Sequence, residues 1–305
     1  MRGGLITAGL GLLACGLFAA GCGVRLDGGG GQLTPDGSTP GTDSGITPSV
    51  DAPPMLGPWG APAAVLGAST TVGIEDDATL SSSTNEMIFA ITDTASSTKD
   101  LWYMSRPSPT GAWSTPLKLA FNVTGVSDET PRFSPDNLTL YFASARTGGP
   151  GLLDIYKVTR AAVGSTSWGT PSLVTGVSTA NNDKWFVPCA ADNTYMVSVN
   201  NDIGQGTFGS QPTVCAELSS TAAETGPFLS PDCKTIYFAS VKSGTNKIYR
   251  ATRPSLSAPF SAPELVTDFD SLGGAQEDPW MSTDLKTFVL VSDKNGSKDV
   301  YISTR

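Results

Sequence analysis

Phe133-Ser134-Pro135-Asp136-Asn137-Leu138-Thr139-Leu140-Tyr141-Phe142-Ala143-Ser144 is an apolar strand pattern entered through a tight Ser-Pro-Asp turn, and the chain repeats it. After a Gly-containing gap the first copy continues as Asp154-Ile155-Tyr156 and closes on Thr159-Arg160. The second copy runs Leu229-Ser230-Pro231-Asp232, then Ile236-Tyr237-Phe238-Ala239-Ser240, another Gly-containing gap, Ile248-Tyr249 and Thr252-Arg253. Self-similarity at a period of this length marks an array of equivalent supersecondary units.

Two interleaved marks count the units. An aromatic residue with a proline shortly after it opens a short apolar stretch at Trp59-Pro62, Trp113-Pro116, Trp168-Pro171, Phe208-Pro212 and Phe260-Pro263. An acidic start followed by strand, turn and strand begins near Asp76, Asp128, Asp183, Glu224 and Glu277. Each mark occurs five times. Within the second unit the pattern predicts strands over Thr130 to Ser134, Leu138 to Ser144, Asp154 to Thr159 and Ser172 to Thr175, with turn residues between them. Four antiparallel strands per unit, with no long helical pattern, specify an all-β, five-bladed β-propeller of four-stranded antiparallel blades. The phase of the marks adds a closure. Trp59 to Leu66 precedes the first complete unit and the last unit stops after three strands. The amino-terminal stretch is therefore expected to supply the missing fourth strand, removing the unpaired edge between last and first blades.

These residues resemble the WD40-like repeat of TolB-type exported propellers, chiefly in the two copies quoted and more loosely at Ser282-Thr283-Asp284 with Asp299-Val300-Tyr301. The resemblance implies the propeller fold and protein partners in the cell envelope.

Three regions follow from composition. Residues 1–21 place a charged start, Met1-Arg2, before a Gly/Ala/Leu-rich run, the order of a secretory signal. Ala19-Ala20-Gly21-Cys22 resembles a lipobox and makes Cys22 the expected lipidation site, with Cys15 as the rival. Several acyl chains anchor stably because each buried methylene contributes about 0.8 kcal/mol. Residues 22–56 are rich in Gly, Ser, Thr, Pro and Asp and read as a flexible tether. Residues 57–305 form the propeller. The expected address is the bacterial outer membrane, through the lipid anchor alone, as a monomer.

The 305 residues carry a formal net charge of -9, which argues against anionic nucleic acid as a partner, and contain no histidine. Ser-His-Asp, Cys-His and His-ligated metal chemistry is thereby excluded. Beyond the export segment, Cys189, Cys215 and Cys233 allow one disulfide and one thiol; pairing Cys189 with Cys215 is disfavoured, because they fall on the inner and outer parts of one blade.

Asp76, Asp77, Asp128, Glu129, Glu224, Glu277 and Asp278 stand where innermost strands begin, and together predict an acidic ring at one mouth of the central channel. Three uses compete. The carboxylates cap local turns; or they hold Ca²⁺ or a cationic ligand through clustered oxygens; or Glu129, Glu224, Glu277 and Asp278 supply the acid and base of a glycoside hydrolase. Their recurrence in register with the repeat favours a binding or scaffolding module for an envelope protein or glycan, with a carbohydrate-active enzyme as the alternative. Trp185 and Trp280 are expected in the core, and Asp136, Asp232 and Asp284 are expected to close the first turn of their blades.

Overall fold

The computed structural model describes residues 56–65, 67–68 and 73–305. The expected export segment, Cys22 and the expected tether up to residue 55 lie outside the described residues, as does Leu66.

Among the described residues, twenty strands form five four-stranded antiparallel sheets. The first blade holds β2 (Gly73–Leu80), β3 (Glu86–Asp93), β4 (Lys99–Ser105) and β5 (Leu117–Lys118); the second holds β6 (Asp128–Phe133), β7 (Thr139–Ser144), β8 (Asp154–Thr159) and β9 (Ser172–Leu173). The third is β10 (Asp183–Pro188), β11 (Thr194–Val199), β12 (Asp202–Thr207) and β13 (Thr213–Val214), and the fourth is β14 (Glu224–Leu229), β15 (Thr235–Ser240), β16 (Lys247–Thr252) and β17 (Glu264–Leu265). In the fifth, β18 (Gln276–Met281), β19 (Thr287–Ser292) and β20 (Asp299–Thr304) are joined by β1 (Ala63–Ala64) from the start of the propeller. Ala63 pairs with Ile302 and Ala64 with Tyr301, so the ring closes as the phase of the repeats requires. In the second blade, β6 begins two residues earlier than its apolar pattern suggests, because Asp128 and Glu129 already pair with Ser144 and Ala143.

The turn chemistry is repeated to the atom. Ser134 Oγ donates to Asp136 Oδ1 at 2.6 Å and accepts the Thr139 amide at 2.9 Å, while Asp136 accepts the Leu138 amide at 3.0 Å. Ser230-Asp232 and Ser282-Asp284 build the same turn. Each turn carries a left-handed residue: Thr84, Asn137, Cys233 and Leu285, with φ of 59°, 59°, 57° and 61°. An arginine at the end of the third strand fastens each of these four. The Nε groups of Arg106, Arg160, Arg253 and Arg305 donate to the carbonyls of Thr84, Asn137, Cys233 and Leu285 at 2.7 to 2.9 Å. The same guanidinium groups stack on Trp113, Trp168, Phe260 and Trp59, four of the five aromatic marks. In the third blade Phe208 itself occupies the arginine's place, its amide bonding the Asn193 carbonyl and its ring packing on Phe186 and Tyr195.

The core consists of four apolar clusters between and within the sheets. Tyr156, Tyr249 and Tyr301 are buried in clusters shared with the preceding blade. Cys189 and Cys233 form a disulfide joining the first turns of blades three and four, and Cys215 is left as a buried thiol. Burial pushes that thiol up to about 11, which keeps it protonated and unreactive at neutral pH.

Candidate functional site: the central channel

All five innermost strands break their pairing register at the same place. The irregularity falls between Asp76 and Thr79, Glu129 and Arg132, Lys184 and Val187, Thr225 and Phe228, and Glu277 and Trp280. One residue in each gap is left-handed: Asp77, Thr130, Trp185, Gly226 and Asp278, with φ between 50° and 61°. A bulge of this kind bends the strand and re-aims the side chains on either side of it. Only in blade four does glycine fill the position. There a Cβ would come within 3.2 Å of the Asp278 carboxylate, so Gly226 also makes room for its neighbour.

The bulge sorts the acidic residues into two groups. In blades two to four the first residue of the strand stays in the sheet and ties down a neighbouring connection. Asp128 takes two hydrogen bonds from Arg146 at 2.7 and 2.9 Å, and Asp183 accepts the Thr179 amide at 2.7 Å. Glu224 accepts Ser220 Oγ at 2.5 Å and Ser240 Oγ at 3.0 Å. Asp128 and Glu224, both expected in the acidic ring, therefore do not join the channel cluster. The next two residues do converge. Asp76, Asp77, Glu129, Glu277 and Asp278 come together, with carboxylate oxygens of Asp76, Asp77 and Asp278 within 4.8 Å of one another.

Three lysines meet them. Lys99 Nζ lies 3.0 Å from Asp76, 3.0 Å from Asp77 and 3.2 Å from Glu129; Lys298 Nζ lies 2.6 Å from Glu277 and 3.2 Å from Asp76. Lys184 reaches Glu129 at 3.3 Å. Trp185 is not in the core. Its ring crosses the channel and Nε1 donates to Asp77 Oδ1 at 2.9 Å, joining blade three to blade one, whereas Trp280 is buried as expected.

Burial pushes the Asp76 carboxyl up, but Lys99 and Lys298 outweigh it and hold the group well below the usual carboxylate range. Asp278 makes no ion pair with a lysine, so burial and the charges of Asp77 and Asp76 drive its carboxyl well above that range. Asp77 is raised by burial, against the pull of Lys99. Lys99 stays charged because Asp77, Asp76 and Glu129 overcome its own desolvation. The carboxylates of Asp76, Asp77, Glu129 and Glu277 each lie against at least one of Lys99, Lys184 and Lys298. Lys99 and Lys298 thus bring to Asp76 and Asp77 the positive charge that a hard cation would supply.

Asp183 gives a pH dependence with a definite sign. Burial raises its carboxyl from 3.8 to about 6, so between about pH 4 and pH 6 the folded chain holds a proton that the unfolded chain has released. That stabilisation is complete below about pH 4 and is lost as pH rises through about 6. Asp183→Asn is expected to be at its greatest disadvantage against wild type near pH 4. By pH 8 that disadvantage should shrink by up to about 3 kcal/mol, as read by denaturant unfolding. A difference that is flat with pH would contradict the assignment.

Beyond the bulge the next equivalent residues are Thr79, Arg132, Val187, Phe228 and Trp280, one from each blade. They line a cavity of about 110 Å³ that is mostly apolar and sits on the side of the first turns, away from the lysines. Sequence reasoning missed both the lysines and Arg132. The available signals were Lys99 and Lys298 at equivalent third-strand starts, each before an aspartate, and a lone arginine in an apolar inner strand.

No family model and no curated protein matches the sequence. Solved structures do resemble it. The α-L-arabinofuranosidase PaAbf62A from Podospora anserina, in complex with cellotriose, superposes with a TM-score of 0.55 at 12% identity, over 81% of this chain and 96% of that one. An endo-arabinase from Bacteroides thetaiotaomicron gives 0.53 at 8% identity, over 81% and 97%. A putative TolB from Agrobacterium tumefaciens gives 0.47 at 20% identity, over 72% and 70%. The likeness is one of fold. Propellers host binding, scaffolding and catalysis alike, so function has to be argued from the channel itself.

Proposed function

We propose that this protein is an exported, lipid-anchored binding module, whose propeller recognises an envelope protein or glycan without transforming it. One observation carries the reading: four of the five channel carboxylates, Asp76, Asp77, Glu129 and Glu277, are committed to Lys99, Lys184 and Lys298, which leaves Asp278 without an ionised carboxylate partner free to act with it. Glycoside hydrolysis needs an acid and a base or nucleophile about 5 to 9.5 Å apart, with room for sugar or water between them. Here Lys99 bridges Asp76, Asp77 and Glu129, and Lys298 bridges Asp76 and Glu277, where a substrate would have to lie. Of the candidate acids, Glu224 is spent on Ser220 and Ser240. The Cys189–Cys233 disulfide supports export, since such bonds persist in oxidising compartments. Cys22 is the proposed anchor and the outer membrane the proposed site, with no nucleic acid as partner.

The alternative, a carbohydrate-active enzyme, makes the opposite forecast on one assay. The purified chain, incubated with linear arabinan and aryl α-L-arabinofuranosides, is expected to release no product above blank. Turnover that disappears in Asp76→Asn would overturn the binding reading. For the anchor, Cys22→Ser is expected to abolish metabolic lipid labelling and move the protein to the soluble fraction, and unchanged labelling would refute it.

A further inference from the structure

The cavity beyond the bulge contains a polar feature that the fold leaves unfinished. Arg132 is 2% exposed, among the largest buried side chains of the protein. Its Nη1 donates to the carbonyls of Ala78 and Pro131 at 3.3 and 3.1 Å. Its Nε and Nη2 have no hydrogen-bond partner, and no carboxylate among the described residues lies within ion-pair distance of it. Those two nitrogens form the side of a guanidinium whose N–H bonds run parallel, the edge that grips both oxygens of a carboxylate at once. Next to it in the ring, the buried Thr79 Oγ1 also lacks a partner. A buried guanidinium edge without acceptors is costly, and such groups are ordinarily satisfied.

Most of the remaining wall is apolar, with Ser82, Ser134, Asn137, Ser230 and Thr283 at its margin. Val187, Phe228 and Trp280 complete the ring, with the Phe228 and Trp280 rings 6.0 Å apart, and Phe133, Leu229 and Met281 add to the wall. A volume of about 110 Å³ suits a ring or a branched aliphatic chain, since a comparable apolar cavity of about 150 Å³ accepts benzene. Ser230, Pro231, Met281 and Thr283 also border a second hollow, which continues between blades four and five toward Tyr237 and Arg305.

We propose that this mouth of the channel is a binding site for an apolar monocarboxylate, its carboxylate held by the Nε/Nη2 edge of Arg132 with the Thr79 hydroxyl, and its body packed against Phe228 and Trp280. The inference rests on the binding reading and names the chemistry of its ligand. Two sources offer that chemistry, a free carboxylic acid and the carboxyl terminus of a polypeptide with an apolar last residue. The hollow beside the cavity gives room for the chain of the latter.

The test is calorimetric titration of the full chain with 3-phenylpropionate and with a pentapeptide ending in leucine, each beside its neutral amide. The carboxylate of at least one pair is expected to bind saturably, and at least tenfold more tightly than its amide. Whichever carboxylate binds more tightly identifies the source. Arg132→Met is expected to erase the preference for carboxylate over amide. Should that variant fail to fold, Ala190→Trp, an exposed position on the cavity's edge, is expected to weaken binding at least tenfold with the ring of five intact. Equal affinities for acid and amide, or no binding by either pair, would overturn the inference. Neither result touches the binding reading itself, which fails only on sugar turnover.

Discussion

Deleting residues 57–65 from the propeller is expected to lower its melting temperature by about 10 to 20 °C and to make the remaining chain self-associate. The stretch donates far more than the two-residue strand β1. The Gly60 amide bonds the Thr304 carbonyl at 2.9 Å, the Val65 amide bonds the Val300 carbonyl at 2.8 Å, and Ser303 Oγ bonds the Gly60 carbonyl at 2.6 Å. Trp59 packs on Phe288 with ring centres 5.5 Å apart, on Phe269 at 6.1 Å, and beneath the Arg305 guanidinium at 4.1 Å. Val65 is buried in the same cluster. Burying a large apolar side chain contributes about 1.5 to 3 kcal/mol, and each net hydrogen bond about 0.5 to 1.5 kcal/mol. Losing two such side chains and several bonds therefore costs roughly 5 kcal/mol or more. For a domain of this size each kcal/mol corresponds to about 2 to 4 °C. The deletion also bares the outer edge of β20, and an unpaired edge is a template for another chain. A peptide of residues 57–65 added back should restore much of the lost stability by refilling that edge. A melting temperature within a few degrees of wild type would mean that the ring does not depend on its closure.

The order of strands was legible because it is written in turn chemistry. The aromatic-proline marks recur once per blade, and the Ser-Pro-Asp turns with their Gly-containing gaps, which follow from local backbone requirements, fix the strand order in blades two and four. Which acids enter the channel was not legible, because the deciding feature is a backbone bulge. Left-handed residues are normally glycine, asparagine or aspartate, and Gly226, Asp77 and Asp278 obey that preference. Thr130 and Trp185 do not, since a β-branched and a bulky residue are both disfavoured there. Without the bulge, strand alternation assigns neighbouring residues to opposite faces. With it, Asp76-Asp77 and Glu277-Asp278 both send two carboxyls toward the axis, while Asp128 and Glu224 remain in the sheet. Thr225 stands in blade four where Glu129 and Glu277 stand in blades two and five, so acidity at the strand start did not transfer from blade to blade.

The lysines were hidden for a different reason. Lys99 and Lys298 reach Asp76, Asp77 and Glu277 across the middle strand of their own blades, and the pairs with Glu129 and Asp76 of the next blade, like that of Lys184 with Glu129, exist only once the blades are arranged around an axis. Trp185 carried the same ambiguity, since a tryptophan in an inner strand is ordinarily core. What moved it across the channel was its left-handed backbone, with its amide bonded to Thr130 Oγ1 at 3.1 Å and its indole N–H to Asp77.

Removing Glu86 or Arg160 alone is expected to destabilise the protein by about 3 to 5 kcal/mol, the cost of leaving one member of a buried ion pair without the other. Arg160 Nη1 and Nη2 lie 2.6 and 3.0 Å from the two Glu86 oxygens, linking blade one to blade two. Tyr103 Oη and the Gly164 amide complete the carboxylate at 3.2 and 3.1 Å. The repeat supplies its own control. Arg106 makes the same carbonyl bond and the same aromatic stack, on Thr84 and Trp113, but no carboxylate ion pair is seen for it among the described residues. Arg106→Ala should therefore report the clamp and the stack by themselves, and the excess cost of Arg160→Ala should report the charge left on Glu86. The double variant Glu86→Met, Arg160→Met removes both charges together, so it is expected to lie closer to wild type than either single alanine variant, as denaturant unfolding would read. If Arg160→Ala cost no more than Arg106→Ala, the pair would be contributing only what every arginine clamp contributes. The join between the first two blades would then rest on the apolar cluster around Ile88, Leu101 and Phe142.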